Sequence, residues 1–335
     1  MKVNFIVLIV ASFFSVQLKA NTLGAIKKKG YIQCGVSQGL PGFSFPTKAG
    51  TWQGIDVDFC RALAVAVFND KSKVKFTPLS AKERFTALQS GEIDLLSRNT
   101  TWTLRRDASL GIDFIGVVYY DGQGFMVPKK LGIKSAKELD GATVCVNTGT
   151  TTELNVADYF LANGMKYKLL AYEKDDETVA AYGAGRCDVI TTDQSGLYAQ
   201  RLKLKKPQEH MILPEVISKE PLGPAVRQGD DQWANLVRWT LHALLGAEDL
   251  GIHSGNLDNL LKSKNPEVRR FLGVEGQMGE FLGIRKTWAR DIVKQVGNYQ
   301  EIFEANLGSK SRLKIARGYN ELWRKGGLHY PLPVR

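Results

Sequence analysis

The strongest constraint on this chain is a strand–helix–strand order that appears twice. The first block runs from an apolar strand pattern over 31–37, through a helical pattern over 55–68 and a strand at 74–80, to a short helix at 82–91 and a strand at 93–97. The second repeats it: a strand at 141–148, a helix at 152–164, strands at 167–173 and 187–193, and a helix at 176–185 between them. Helical segments carry apolar residues at three- and four-residue spacing, and Gly91 and Gly164 stand where helices stop. Repeated βαβ order demands a parallel sheet covered by helices. Two blocks in 335 residues are enough for two cores. The expectation is a two-lobed α/β protein.

Two extended stretches connect the blocks, 117–127 and 217–228. The chain therefore enters a second lobe and returns, and a pair of crossings makes a hinge that absorbs rotation in few residues. We expect lobe 1 to comprise 21–119 and 223–335 with a C-terminal extension, and lobe 2 to comprise 120–222. After the return, 233–251 has a strong amphipathic helical pattern. The tail is expected to wrap lobe 1 and to end in an extended segment, 325–335.

Residues 1–20 read differently. Lys2 precedes the apolar run Val3–Phe14, and Ala20 closes a cleavage pattern with Leu18 three positions before the cut. The run is short for a membrane span, so it reads as a secretory signal peptide removed after Ala20, with an uncleaved anchor as the alternative. Export implies a periplasmic, oxidising setting in which cysteines pair. Four cysteines admit three pairings, and sequence does not choose among them. We expect Cys34–Cys60 and Cys145–Cys187, each inside one lobe. No C-x-x-C spacing supports zinc, and the four histidines have no metal-ligand spacing, so no metal is expected. The formal charge of +11 falls to +9 without Lys2 and Lys19. These charges are dispersed and accompany no stacking aromatics, so no nucleic acid is expected. There is no P-loop, G-x-S-x-G or H-E-x-x-H, and no cofactor is expected.

Three segments carry the chemistry: SRNTTWTLRRD (97–107), VCVNTGTTTELN (144–155) and CDVITTDQSG (187–196). Arg106 offers a planar fork for a carboxylate. Thr150, Thr151 and Thr152 lie between a strand and a helix, where hydroxyls and free N–H groups hold anions or simply cap the helix. Asp193 ends an apolar strand and either neutralises an ammonium or caps the next helix. Two anion-holding devices and one carboxylate match the two ends of an α-amino acid. Asp188 reads as a fold residue.

With GTWQGIDVDFCRAL (50–63), RFTALQSGEIDLLSRNTTWTLRRD (84–107), YYDGQGFMV (119–127), SKEPLGPAVRQGDDQW (218–233) and KQVGNYQEIFEANLG (294–308), the chain resembles the periplasmic amino-acid-binding proteins of ABC importers. These are family 3 solute-binding proteins, and the general L-amino-acid-binding type is nearest. The resemblance implies the type II periplasmic-binding-protein fold with a cleft between the lobes. It implies that Arg106, Thr150 and Thr151 face the ligand carboxylate. Asp193, the Thr101 hydroxyl and the carbonyls near Asn99 and Thr100 then face its ammonium. Arg84 occupies a position where relatives of acidic specificity carry an arginine for the side-chain carboxylate; otherwise it is a helix-surface residue. Phe43 and Trp52 border the side-chain pocket or belong to the core. Arg98 stands where many relatives have a small residue. The implied function is capture of L-amino acids, polar or acidic or a broad range, by a monomer that closes on the ligand and meets a membrane permease. The alternative is a periplasmic dehydratase-like enzyme on the same scaffold.

Overall fold

The computed structural model describes residues 21–335, so the signal-peptide reading of 1–20 lies outside the described residues. Helix α1 (Thr22–Lys29) leads into strand β1 (Ile32–Ser37). A hairpin of β2 (Phe45–Pro46) and β3 (Trp52–Gln53) precedes α2 (Ile55–Phe68). Asp56 and Asp58 occupy the first turn of α2, where the helix dipole favours anions, and Asn69 closes it in the left-handed conformation. Next come β4 (Val74–Leu79), α3 (Arg84–Ser90), β5 (Leu95–Leu96), α4 (Leu104–Ser109) and β6 (Ile112–Phe114). Neither α4 nor β6 has enough periodic residues to be legible from sequence.

Strand β7 (Tyr119–Asp121) crosses to β8 (Gln123–Pro128). Lobe 2 continues with β9 (Ala142–Asn147), α5 (Thr151–Ala162), β10 (Tyr167–Tyr172), α6 (Asp175–Gly183), β11 (Val189–Asp193), α7 (Gln194–Arg201) and β12 (His210–Ile212). Strand β13 (Glu220–Leu222) returns to β14 (Ala225–Arg227), and α8 (Asp231–Asp249) follows. One sheet has the order β4-β1-β5-β14-β6 and the other β10-β9-β11-β8-β12. In each, three parallel strands from a βαβ block are joined by one strand of opposite direction, β14 or β8, and the edge strand beyond it, β6 or β12, pairs antiparallel with that strand and so runs with the first three.

The second sheet buries both faces. Phe125, Val127, Val144 and Val189 pack toward Val156 and Phe160 of α5. The intervening Met126, Cys145 and Ile190 pack toward Val179 and Tyr182 of α6 and Leu197 of α7, as a two-residue side-chain period requires. Cys145 is bonded to Cys187 and Cys34 to Cys60, with Cα separations of 5.7 and 6.4 Å. Each bridge ties elements of one sheet layer together and leaves the crossings free.

The crossings pair antiparallel, Glu220 opposite Asp121 and Leu222 opposite Tyr119. Gly223 lets the returning strand pass closely, because a Cβ there would stand 2.0 Å from the Gly116 carbonyl oxygen. The tail does more than wrap. Short helices α9 (Leu257–Leu260), α10 (Pro266–Phe271), α11 (Met278–Phe281), α12 (Trp288–Gln295) and α13 (Tyr299–Asn306) complete the core around α2 and α8. Beyond them Asn320 takes both backbone groups of Tyr120 in β7, at 2.7 and 3.1 Å, and Arg317 forks onto buried Glu248 at 2.8 and 3.1 Å. The C-terminal segment therefore braces one hinge strand against lobe 1. The extended segment expected over 325–335 is found only at its end: Lys325 closes a 3-10 helix begun at Trp323, the chain turns back at Gly326 to bridge His329 to Leu322, and residues 331–335 carry no regular structure.

Candidate functional site

The ends of β5, β9 and β11 converge on a cavity of about 470 Å³, counted to its solvent-open mouth. Its walls are mostly polar. Arg84, Arg98, Asn99 and Thr101 come from one lobe. Thr150, Thr151, Thr152, Asp175 and Asp193 come from the other. The lobes are closed. The Thr101 and Thr151 hydroxyls stand 3.4 Å apart, and Lys203 donates to the Gly39 carbonyl at 2.6 Å. Gly149, in a left-handed turn at φ +73°, approaches Lys82 so closely that an added Cβ would lie 3.4 Å from its Cα.

Asp193 is 6% exposed and stands at the N-cap of α7, yet its side chain caps nothing. Among the described residues it has no ion-pair or hydrogen-bonding partner. Burial pushes its carboxyl well above the usual carboxylate range, and the nearby Asp121 and Glu220 add to the shift while Arg84 and Arg106 oppose it. Asp121 is itself raised to about 6, chiefly by burial. The helix-cap role considered for Asp193 is thus excluded, and its carboxylate faces the cavity.

Two guanidiniums, those of Arg84 and Arg98, line the cavity, and a third, that of Arg106, is buried nearby. Arg84, Arg98 and Arg106 are 3%, 5% and 8% exposed, and none has a carboxylate within 4.0 Å among the described residues. Arg84 is not a helix-surface residue. It donates to the Thr100 hydroxyl at 3.3 Å and leaves its Nε without a partner. Burial pulls its pKa well below the ordinary arginine value, aided by repulsion from Arg106 and Arg98. Arg98 is anchored by its Nε to the Leu79 carbonyl at 2.9 Å. Arg106 lies one layer behind the lining residues. It donates to the Thr101 carbonyl at 2.9 Å and lies 5.2 Å over the Phe85 ring, with a pKa lowered to about 10, mainly by burial. Unpaired buried charges of both signs are costly, and a ligand with complementary charges relieves that cost.

The threonines divide their work differently from expectation. Thr150 caps α5: it donates to the Asn147 carbonyl at 2.7 Å and accepts from the Glu153 N–H at 3.3 Å. Thr151 donates its proton to Glu220 at 2.9 Å. Neither hydroxyl keeps a proton for a carboxylate. What α5 offers an anion is the first-turn N–H groups of Thr151 and Thr152, which no helical carbonyl can accept, together with the dipole and the Thr152 hydroxyl. In the other lobe the Thr100 carbonyl already accepts from Gly223 N–H at 2.9 Å, and Thr100 lies off the cavity wall. Asn99 adopts a left-handed φ of +28°, held by Asp56 accepting its N–H at 3.0 Å.

Phe43 and Trp52 do not line the cavity. Phe43 is fully buried, edge-on to Tyr119, and Trp52 packs on Phe76 in the partly buried margin of the lobe 1 core. Asp188 accepts the Thr143 N–H at 2.8 Å and so serves the sheet.

A model of the bacterial extracellular solute-binding proteins, family 3, matches residues 32–250. The chain belongs to that family. It is 61% identical to the general L-amino acid-binding periplasmic protein AapJ of Rhizobium johnstonii, over 94% of this chain and 93% of that one. It is 51% identical to the glutamate/glutamine/aspartate/asparagine-binding protein BztA of Rhodobacter capsulatus, over 94% of each. Among solved structures, a periplasmic binding protein of an ABC transporter from Brucella ovis, with glutathione bound, superposes with a TM-score of 0.93 at 59% identity, covering 94% of this chain and 100% of that one. Relatives of this solute-binding chain are thus named as binding proteins rather than enzymes.

Sequence reasoning missed Glu220 and the cavity positions of Asp175 and Gln200. Glu220 lies in a crossing too short for any periodicity, and its one visible signal is a charge beside Pro221 where a chain changes lobes. Among the described residues no group of side chains could hold a metal, and no helix is long and apolar enough to cross a membrane.

Proposed function

We propose that this chain is the extracytoplasmic capture component of an ABC amino-acid importer and binds L-amino acids by closing its lobes. The observation that carries this reading is a buried carboxylate that caps no helix, Asp193, and three buried guanidiniums that lack ion-pair partners, those of Arg84 and Arg98 on the wall of the same polar cavity and that of Arg106 behind it. Asp193 takes the ammonium, with the Thr101 hydroxyl oxygen beside it. Arg106 and the first turn of α5 take the α-carboxylate. Arg84 and Arg98, both on the cavity wall, face the side chain. Two cations directed there favour glutamate and aspartate, with glutamine and asparagine admitted as hydrogen-bonding analogues. The names of the two curated relatives support the ligand class.

On this reading 21–119 with 223–335 and 120–222 move as two bodies about β7 and β13, and ligand favours closure because only the closed form presents both sets of groups. The signal peptide ends at Ala20, the mature protein is a periplasmic monomer, and the closed complex docks on a membrane permease whose ATPase lies on another chain. No step of catalysis is assigned to the cleft.

Thermal-shift screening of the twenty L-amino acids tests this, since a ligand that binds only the folded state raises the transition by mass action. Glutathione belongs in the same screen, because its glutamyl end is itself an amino acid and the Brucella ovis relative holds it. The expected result is a rise led by the acidic amino acids and their amides, with ligand recovered unchanged after long incubation. No shift with any of them refutes the reading, and recovery of a converted product returns the dehydratase alternative.

A further inference from the structure

Glu220 is 2% exposed and accepts four hydrogen bonds. Its Oε2 takes the hydroxyl protons of Thr101 at 2.6 Å and Thr151 at 2.9 Å. Its Oε1 takes Asn155 Nδ2 at 2.7 Å and Ser218 Oγ at 2.6 Å. These donors belong to both lobes. Thr101 travels with β13, because the Trp102 N–H donates to the Pro221 carbonyl and the Gly223 N–H to the Thr100 carbonyl, at 2.8 and 2.9 Å. Ser218 travels with lobe 2: its hydroxyl accepts the Gln123 N–H at 3.2 Å, and the Ile217 N–H donates to the Gln123 carbonyl at 2.9 Å. Thr151 and Asn155 stand on α5. The pivot of the returning strand therefore falls between Ser218 and Pro221, with Glu220 on it.

A hydroxyl has one proton. With that proton held by Glu220, Thr101 presents only lone pairs to the cavity, which suits an ammonium and rejects a carboxylate. The same holds for Thr151, so its N–H rather than its hydroxyl is what an anion meets. We propose that Glu220 is a positioning residue that latches the lobes together and fixes the hydroxyl polarity of the cleft, so that selection for a free α-amino group is set from the hinge. This rests on the amino-acid reading for its ligand consequence and stands independently for the latch.

Two measurements decide it. In the first, titration calorimetry compares L-glutamate with glutarate, which keeps both carboxylates and lacks the amino group, in wild type and in Glu220→Gln. An amide in place of the carboxylate offers the threonines a donor and releases their protons toward the cavity. The expected result is that the preference for glutamate over glutarate falls by about tenfold or more, the range of a charge-assisted bond. An unchanged preference overturns the polarity role, since loss of fold or packing weakens both ligands alike. In the second, small-angle scattering follows the unliganded protein. Asn155→Ala removes one lobe 2 bond without touching the cavity wall and keeps the latch testable should Glu220→Gln fold poorly. Its expected effect is a more open average form, with a larger radius of gyration than wild type. Unchanged dimensions overturn the latch. Should wild type bind no amino acid at all, the ligand reading fails, and the scattering result alone decides the inference.

Discussion

Replacing Asp193 by Asn is expected to move stability and binding in opposite directions. The side chain is 6% exposed, has no hydrogen-bonding partner, and is raised well above the ordinary carboxylate pKa by burial and by its neighbours Asp121 and Glu220. A folded-state pKa above the unfolded value of about 3.8 means that the folded protein holds the ionised form at a cost, above that unfolded value. The isosteric amide removes that cost. Neutralising a poorly compensated buried charge is worth roughly 1–3 kcal/mol, which for a chain of this size raises the unliganded melting temperature by about 1–5 °C. The difference is largest near neutral pH and shrinks as acid protonates the wild-type carboxyl. Binding moves the other way. A desolvated ammonium loses its counter-charge, costing about 2–5 kcal/mol, or roughly thirtyfold to several thousandfold in affinity. Differential scanning fluorimetry across pH without ligand and calorimetry with L-glutamate read the two effects. Wild-type affinity in Asp193→Asn, or a lower unliganded melting temperature at pH 7, refutes the reasoning.

Arg106→Ala is expected to weaken every amino-acid ligand by about thirtyfold or more, whereas Arg84→Ala is expected to weaken glutamate and aspartate at least about tenfold more than alanine or serine; a uniform loss in Arg84→Ala contradicts its side-chain role. Reducing the bridges is expected to lower the melting temperature without changing affinity below the transition, because each joins elements of one lobe. Cys145–Cys187, with a separation of 42 residues, is worth about 3–4 kcal/mol by loop entropy, and a changed affinity in the reduced folded protein contradicts the assignment. His329 is buried, hydrogen-bonded to Tyr299 at 3.0 Å, and pushed down to about 3 by desolvation. The unfolded chain binds a proton there that the folded state refuses, so its contribution is intact above pH 6.5 and falls as pH drops below it. From pH 6.5 to 4.5 that loss is about 2–3 kcal/mol, and His329→Gln should escape it in denaturant titrations. Asp56, raised to about 7 by burial, acts with the opposite sign in both proteins, so the difference between the two curves is the informative quantity.

What sequence made legible and what it hid follow from the range of the forces. The two βαβ blocks were readable because burying a sheet face imposes a two-residue period and burying a helix face a period near 3.6 over many residues. Elements such as α4 and β6 span too few residues to show either. At the site, Arg106, Asp193 and the threonine turn stood out because their residue types are chemically unusual after an apolar strand. The division of labour among the hydroxyls was not readable. It depends on Glu220, 69 residues from Thr151 and 119 from Thr101, and no local pattern connects them. Phe43 and Trp52 illustrate the reverse failure. Proximity to the cleft loop suggested a pocket, but large apolar surfaces gained more from Tyr119 and Phe76 in the core.

The central claim is that an amino acid is held by its two charged ends between the lobes. A crystal structure grown with L-glutamate tests this most directly. The account predicts the ammonium within hydrogen-bond distance of Asp193, the α-carboxylate on Arg106 and the first N–H groups of α5, and the side-chain carboxylate toward Arg84. Glutamate bound elsewhere, or bound in the cleft with its ammonium turned away from Asp193, contradicts it.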